Sequence, residues 1–308
     1  MQWVDRIGSR LKLRDLHILL TVVRQGSMAK AAAELAISQP AVSKAIADME
    51  HTFGLRLLDR GRGGAEPTAY GRALVMRGQA IFDELKLGIE ELAFLADPTV
   101  GELYIAGTES VAAGFLPAVL ERFSFEQPGI RVNVAQAVMN AAHYRDLRER
   151  TIDLLVGRIP NPFNESDLEA KIAYDDQVVV VAGRQSKWVR SRKVALAELA
   201  AERWVLPPDD TMPGLLAAEL FRAGGADLPR APITTLSIHL CCQLAASSKF
   251  VTMLPGSVLR FGNLDQSLKI LPIKLAPQRR PVGIVTLKNR MLTPAAKLFI
   301  ECVHQTAT

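Results

Sequence analysis

Ser38-Gln39-Pro40-Ala41-Val42-Ser43-Lys44 brings together the residue types that read a DNA duplex. A glutamine amide at the start of a helix can pair with an adenine edge in the major groove, and small apolar groups such as Pro40 and Ala41 can approach thymine methyls. Hydroxyls and cations fix register on the phosphates. Gln39 is therefore the candidate base reader. Ser38 caps its own helix and can touch phosphate, Ser43 lies one turn on, and Lys44 is a phosphate contact. Arg60 and Arg62, beside Gly61, Gly63 and Gly64, form a basic loop suited to phosphates or a minor groove.

The surrounding pattern must position these groups. Leu16, Leu19, Leu20 and Val23 recur at helical spacing, and Gly26 stops the run. Ser27 is an N-cap for an alanine-rich helix, and Ser38 caps the next, with Pro40 in its first turn where a missing N–H is harmless. Val42, Ile46, Met49 and Phe53 then form one apolar stripe, ended by Gly54. Two alanine-lined helices joined through Ala36-Ile37-Ser38 make a helix-turn-helix. The extended stretch at 55–60 and the glycine loop after it add a wing.

A single helical pattern covers 68–96, about 43 Å long. Positions 74, 78, 81, 85, 88, 92 and 95 read Leu, Gly, Ile, Leu, Gly, Leu, Leu, spaced alternately by four and three. That is an a/d seam, which predicts dimerisation through Leu74, Ile81, Leu85, Leu92 and Leu95. Asp97-Pro98 ends the helix. Beyond it, short apolar runs such as Leu103–Ala106, Leu154–Val156 and Val251–Leu254 alternate with helical stretches, predicting an α/β domain with largely parallel sheets. The expected division is 1–67, 68–97 and 98–308.

Composition narrows the function classes. The chain has 308 residues with 37 Lys+Arg, 32 Asp+Glu and a net charge of +5. Residues 1–66 hold ten basic and seven acidic side chains, so no basic tail accounts for nucleic-acid binding, and the case rests on the motif. Cys241, Cys242 and Cys302 suit neither a disulfide framework nor zinc. Their odd number, and a charged N-terminus without an apolar signal region, predict a cytoplasmic protein with no membrane partner. His17, His51, His143, His239 and His304 show no metal spacing, and no nucleotide or hydrolase fingerprint appears. The expectation is no cofactor, no metal and no catalytic constellation. The rival class is a small-molecule-binding protein or enzyme with an incidental helical domain. It lacks both a catalytic set and the export signal of a solute receptor.

The residues Leu13-Arg14-Asp15-Leu16, Gly26-Ser27-Met28, Ala31-Ala32, Ser38 through Lys44, Ile46, Glu50, Gly54, Leu57-Leu58, Arg60, Pro67-Thr68 and Gly71 resemble the LysR-type transcriptional regulators. Looser agreement continues at Leu116-Pro117, Asp153–Gly157 and Met253-Leu254-Pro255. The resemblance implies a winged helix-turn-helix, a dimerising linker helix, and a two-lobed α/β effector domain like a periplasmic solute-binding protein. The implied partners are promoter DNA, a small-molecule effector, a second copy or a tetramer, and RNA polymerase. A ligand between two α/β lobes sits beyond strand ends and near helix N-termini. Those places are held by Thr108 and Ser110, Asp210 and Thr211, Ser237, and Ser247 and Ser248.

Overall fold

A computed structural model describes residues 11–61, 64–97, 99–137, 141–262, 267–276 and 280–307. The chain divides into two compact units, Met1–Ile89 and Glu90–Thr308.

The first unit opens with α1 (Leu13–Gln25), α2 (Met28–Glu34) and α3 (Gln39–Phe53). Gly26 ends α1 at φ +63°, and Gly54 ends α3 at φ +68°, a region that glycine enters without a Cβ penalty. Ser27 and Ser38 both cap as expected, accepting from Lys30 N and Ala41 N. The α2–α3 turn passes through Ala36 at φ +52°, while Ile37 N donates to Ala32 O at 3.0 Å. The core joins Ile18, Leu19 and Val22 to Ala31, Ala32, Val42, Ile46 and Met49. The buried face of α1 is therefore turned from the expected one, with Leu20 and Val23 only half-buried. Leu16 to Val23 is apolar almost all round, so spacing could not select a face. Buried Thr21 satisfies its hydroxyl by donating to His17 O.

The wing follows as an antiparallel pair, β1 (Leu58–Gly61) and β2 (Gly64–Pro67), with Arg60 opposite Ala65. Helix α4 (Ala69–Ala96) then carries the chain into the second unit.

That unit has two lobes. The chain lays down β3 (Gly101–Thr108), α5 (Glu109–Ala112), α6 (Phe115–Glu126), β4 (Ile130–Ala137), α7 (Ala141–Arg148), β5 (Leu154–Arg158) and β6 (Leu168–Asp175) in the first lobe. It crosses to the second for β7 (Val178–Gly183), β8 (Trp204–Leu206), α8 (Met212–Ala223), β9 (Ile233–Thr234), α9 (Ile238–Ala246), β10 (Val251–Pro255), α10 (Gly256–Phe261) and β11 (Leu268–Ile270). It returns for β12 (Pro281–Leu287) and α11 (Pro294–Ala307). The sheets are ordered β4-β3-β5-β12-β6 and β11-β7-β10-β8-β9.

Both sheets are mixed, which corrects the expectation of largely parallel strands. β12 runs antiparallel to β5 and β6, and β7 runs antiparallel to β10 and β11. β12 re-enters the first lobe from the second, so it threads the sheet against its neighbours. Phe115, Phe123 and Phe299 fill one face of the first lobe, and Trp204 and Phe221 one face of the second. Cys241, Cys242 and Ala245 of α9 pack with Val258 on another side.

Candidate functional sites: a nucleic-acid interface and an interlobe cleft

Helix α3 is two-faced. Val42, Ala45, Ile46 and Met49 are buried, while Gln39, Pro40, Lys44, Ala47 and Asp48 are exposed, with Ala41 and Ser43 half-buried at the margin. The groups expected to meet DNA thus occur together at the open N-terminal end of one helix, where unpaired N–H groups favour phosphate. The Ser38 side chain is spent on its cap, with Oγ 3.4 Å from Ala41 N.

The wing is fixed to this scaffold by two ties that sequence patterns did not single out. The Glu50 carboxylate accepts from Leu57 N at 2.8 Å and Leu58 N at 3.2 Å, tying the C-terminal half of α3 to the strand entering the wing. Ala65 N donates to Gly26 O at 2.9 Å, and a Cβ on Gly64 would come within 2.3 Å of that same oxygen. Gly64 is thus needed for close approach as well as for its φ of +120°. The Arg60 side chain, and Arg62 altogether, lie outside the described residues.

The a/d row on α4 does not act as one surface. Leu74 packs against the core of its own unit, and a Cβ on Gly78 would strike Leu16 at 2.9 Å. That withdraws Leu74 from the expected seam: the first turns of the helix are used within the chain. Ile81, Leu85, Leu92 and Leu95 remain 46%, 48%, 68% and 72% exposed, so no described residue covers them.

In the second unit, β3 ends at Thr108, whose Oγ1 lies 3.3 Å from Ser110 Oγ. Between them stands Glu109. Its Oε2 accepts from Gln136 Nε2 at 3.1 Å, at the end of β4, and its Oε1 accepts from Ile238 N at 3.1 Å, in the opposite lobe. Ser237 caps α9 by accepting from Leu240 N, and Ser237 N donates to Thr235 Oγ1. Thr108, Ser110 and Ser237 are therefore gathered where the lobes meet, around a carboxylate that no sequence motif marks. Only its place directly after a strand of a two-lobed domain could have drawn attention to it.

The other four expected effector residues are placed elsewhere. Thr211 caps α8 by accepting from Gly214 N and donates to Pro208 O at 2.6 Å, a turn beside exposed Asp210. Ser247 and Ser248 lie at the C-terminal end of α9, about 15 Å of helix from Ser237. Ser247 Oγ donates to Leu244 O, and Ser248 Oγ accepts from Gln185 N at 3.2 Å. Both serines are engaged at the opposite end of α9 from Ser237, so the structure does not bring them together with it. A helix has two ends, and a hydroxyl in sequence does not reveal which one faces the partner lobe.

Burial raises the Cys241 thiol and pushes Cys242 up to about 11, consistent with small core residues on α9. His239 is exposed on the same helix.

The comparisons with known proteins agree with this geometry. A bacterial regulatory helix-turn-helix model of the lysR family matches residues 13–72, and the LysR substrate binding domain matches residues 96–308. The HTH-type regulator YdcI of Escherichia coli strain K12 is 26% identical over 298 residues, covering 97% of this chain and 96% of its own. GbpR of Azospirillum brasilense is 27% identical, covering 97% and 87%. Among solved structures, CbnR, a LysR family transcriptional regulator, aligns with a TM-score of 0.58 at 22% identity over 97% of this chain and all of that one. CbnR complexed with its target DNA aligns at 0.56, with the same identity and coverage. The chain belongs to the LysR family, whose members are DNA-binding transcriptional regulators with a C-terminal effector-binding domain.

Proposed function

We propose that this regulator binds promoter DNA as a homodimer or homotetramer and takes its effector between the two lobes of the second unit. α3 enters the major groove with Gln39 on base edges, Pro40 and Ala41 near thymine methyls, and Ser38, Ser43 and Lys44 toward the backbone. Arg60 and Arg62 reach an adjoining groove or its phosphates. Ile81, Leu85, Leu92 and Leu95 pair with a second copy. The protein works in the cytoplasm, where its partner in transcription is RNA polymerase.

One observation carries the placement of the effector: the Thr108–Glu109–Ser110 turn of one lobe meets the Ser237–Ile238 helix start of the other. A ligand seated there touches both lobes, so its affinity depends on their arrangement. Such differential affinity is what a ligand needs to shift a conformational equilibrium. The test is a metabolite panel scored by melting temperature on the full chain, with each hit repeated on Thr108→Val and Ser237→Ala. Loss of the shift in both variants supports the site. A hit that stabilises both as well as wild type sinks it.

A further inference from the structure

Where the chain leaves and re-enters the first lobe, one face of its sheet holds more hydrogen-bond donors than acceptors. Register places Arg158 opposite Val282, and Val282 opposite Tyr174. Asp176 N donates to Arg280 O at 3.0 Å, one step beyond the end of that ladder. Alternation along the strands then puts the side chains of Arg158, Tyr174, Asp176 and Arg280 on the same side. On that face Asp176 is the carboxylate the two guanidiniums share.

That carboxylate is already engaged. Asp176, 5% exposed, accepts from Ser257 N at 3.0 Å through Oδ1 and from Ser257 Oγ at 2.7 Å through Oδ2. Arg158 Nη2 stands 3.8 Å from Oδ2, an ion pair too long for a hydrogen bond. Arg280 Nη1 is buried with no hydrogen-bond partner among the described residues, and the Tyr174 hydroxyl is buried next to Ser257. Burial, then the neighbouring Arg158 charge, draws the Arg280 pKa down to about 10 against the pull of Asp176 and of Glu219 on α8. A buried polar group without a partner calls for a specific explanation, and a role in binding an ion is one.

A group that supplies the missing acceptors must be small, negative and carry at least two oxygens, since guanidinium forks bind carboxylates and tetrahedral oxyanions in pairs. We propose that this face binds a small oxyanion, held by Arg158 and Arg280 with the Tyr174 hydroxyl as a third donor. The Arg158 side chain is 22% exposed, which leaves an approach from solvent. Bound there, the anion rests on both passages between the lobes, at Asp176 and at Arg280. Neither arginine belongs to the Thr108–Glu109–Ser237 group, so this site stands or falls independently of the effector site.

The test uses the full chain. Melting curves are recorded in sodium chloride, acetate, sulfate and phosphate at matched ionic strength, for wild type, Arg280→Gln and Arg158→Gln. Sulfate and phosphate raise the melting temperature of most proteins without a site, through exclusion from the surface, so the readout is the saturable part of the rise. Wild type should gain a saturable few degrees at millimolar anion, and both variants should lose that part while keeping the linear rise. Saturation in acetate alone identifies a carboxylate ligand; saturation in sulfate or phosphate identifies a tetrahedral one. No saturable component in any anion overturns the proposal, as does an identical component in both variants. If Arg280→Gln fails to fold, the Arg158→Gln curve and calorimetric titration of sulfate and acetate into wild type decide it, and absence of heat counts against the site.

Discussion

The Glu109 carboxylate accepts a hydrogen bond at 3.1 Å from the backbone N–H of Ile238, the first residue of α9 in the other lobe. That nitrogen is one of the unpaired donors of a helix start, where negative charge is favoured. The chain therefore provides its own anion at a place where ligands with carboxylates bind well.

Glu109→Ala should loosen the lobe arrangement seen here. A hydrogen bond to a charged group contributes about 1.5–3 kcal/mol, enough to shift a two-state equilibrium by about 10- to 150-fold. A promoter reporter should show altered basal output, and small-angle scattering a changed radius for the second unit. Basal output and radius both equal to wild type would mean the contact holds nothing.

Thr108→Val and Ser248→Ala separate the two ends of α9. Thr108→Val should shift the effector dose curve to the right by the worth of a small hydrogen bond, about 0.5–1.5 kcal/mol. Ser248→Ala removes the acceptor for Gln185 N, so it should lower the melting temperature slightly and leave the dose curve in place. The reverse pattern would return Ser248 to the effector site.

Gln39→Ala should weaken the cognate operator by about 1–3 kcal/mol and relax specificity at one position, with little change on random DNA. Competition anisotropy measures both. Equal losses on the two DNAs would make Gln39 a positioning residue only.

On α4, Leu92→Lys and Gly78→Leu should fail differently. Leu92 is exposed within the chain, so a lysine there should cut oligomerisation and operator affinity without lowering the stability of the first unit. Gly78→Leu collides with Leu16 and should unfold that unit. Sedimentation and thermal melts distinguish them. A Leu92→Lys protein that stays oligomeric and binds normally would place the interface elsewhere.

Cys242 sets a pH limit. Its folded pKa of about 11 exceeds the ordinary thiol value of 9.0, with burial the leading cause. Between those two values the unfolded chain has shed this proton and the folded chain has kept it, so stability falls as pH climbs from about 9 toward 11. At pH 8 about one folded molecule in a thousand carries the thiolate. Labelling with a disulfide reagent should be slow in buffer and fast in denaturant. Rapid labelling of native protein would contradict the buried thiol.

The N-terminal elements were legible because each is specified locally: Ser27 and Ser38 cap, Gly26 and Gly54 stop, and one stripe on α3 is apolar. Strand β6 was not, since Leu168–Asp175 faces solvent along much of its length and shows no apolar run. The direction of β12 was also hidden, because it depends on a chain that leaves one lobe and returns more than a hundred residues later. The effector residues divided in the same way. Capping by Ser237 is a local property, but Glu109 gains its meaning from a residue 129 positions away.

The hydrogen bond from Ala65 to Gly26 has a bearing on which DNA the protein accepts. It joins the wing to the corner between α1 and α2, and Glu50 joins the wing's entrance to α3, so the two parts work as the fixed jaws of a caliper. If α3 and the wing meet neighbouring grooves as proposed, such a tool measures the span between them as well as the bases within one. Sequences whose backbone already has that span, or bends to it at low energy, will be preferred at base pairs that no side chain touches.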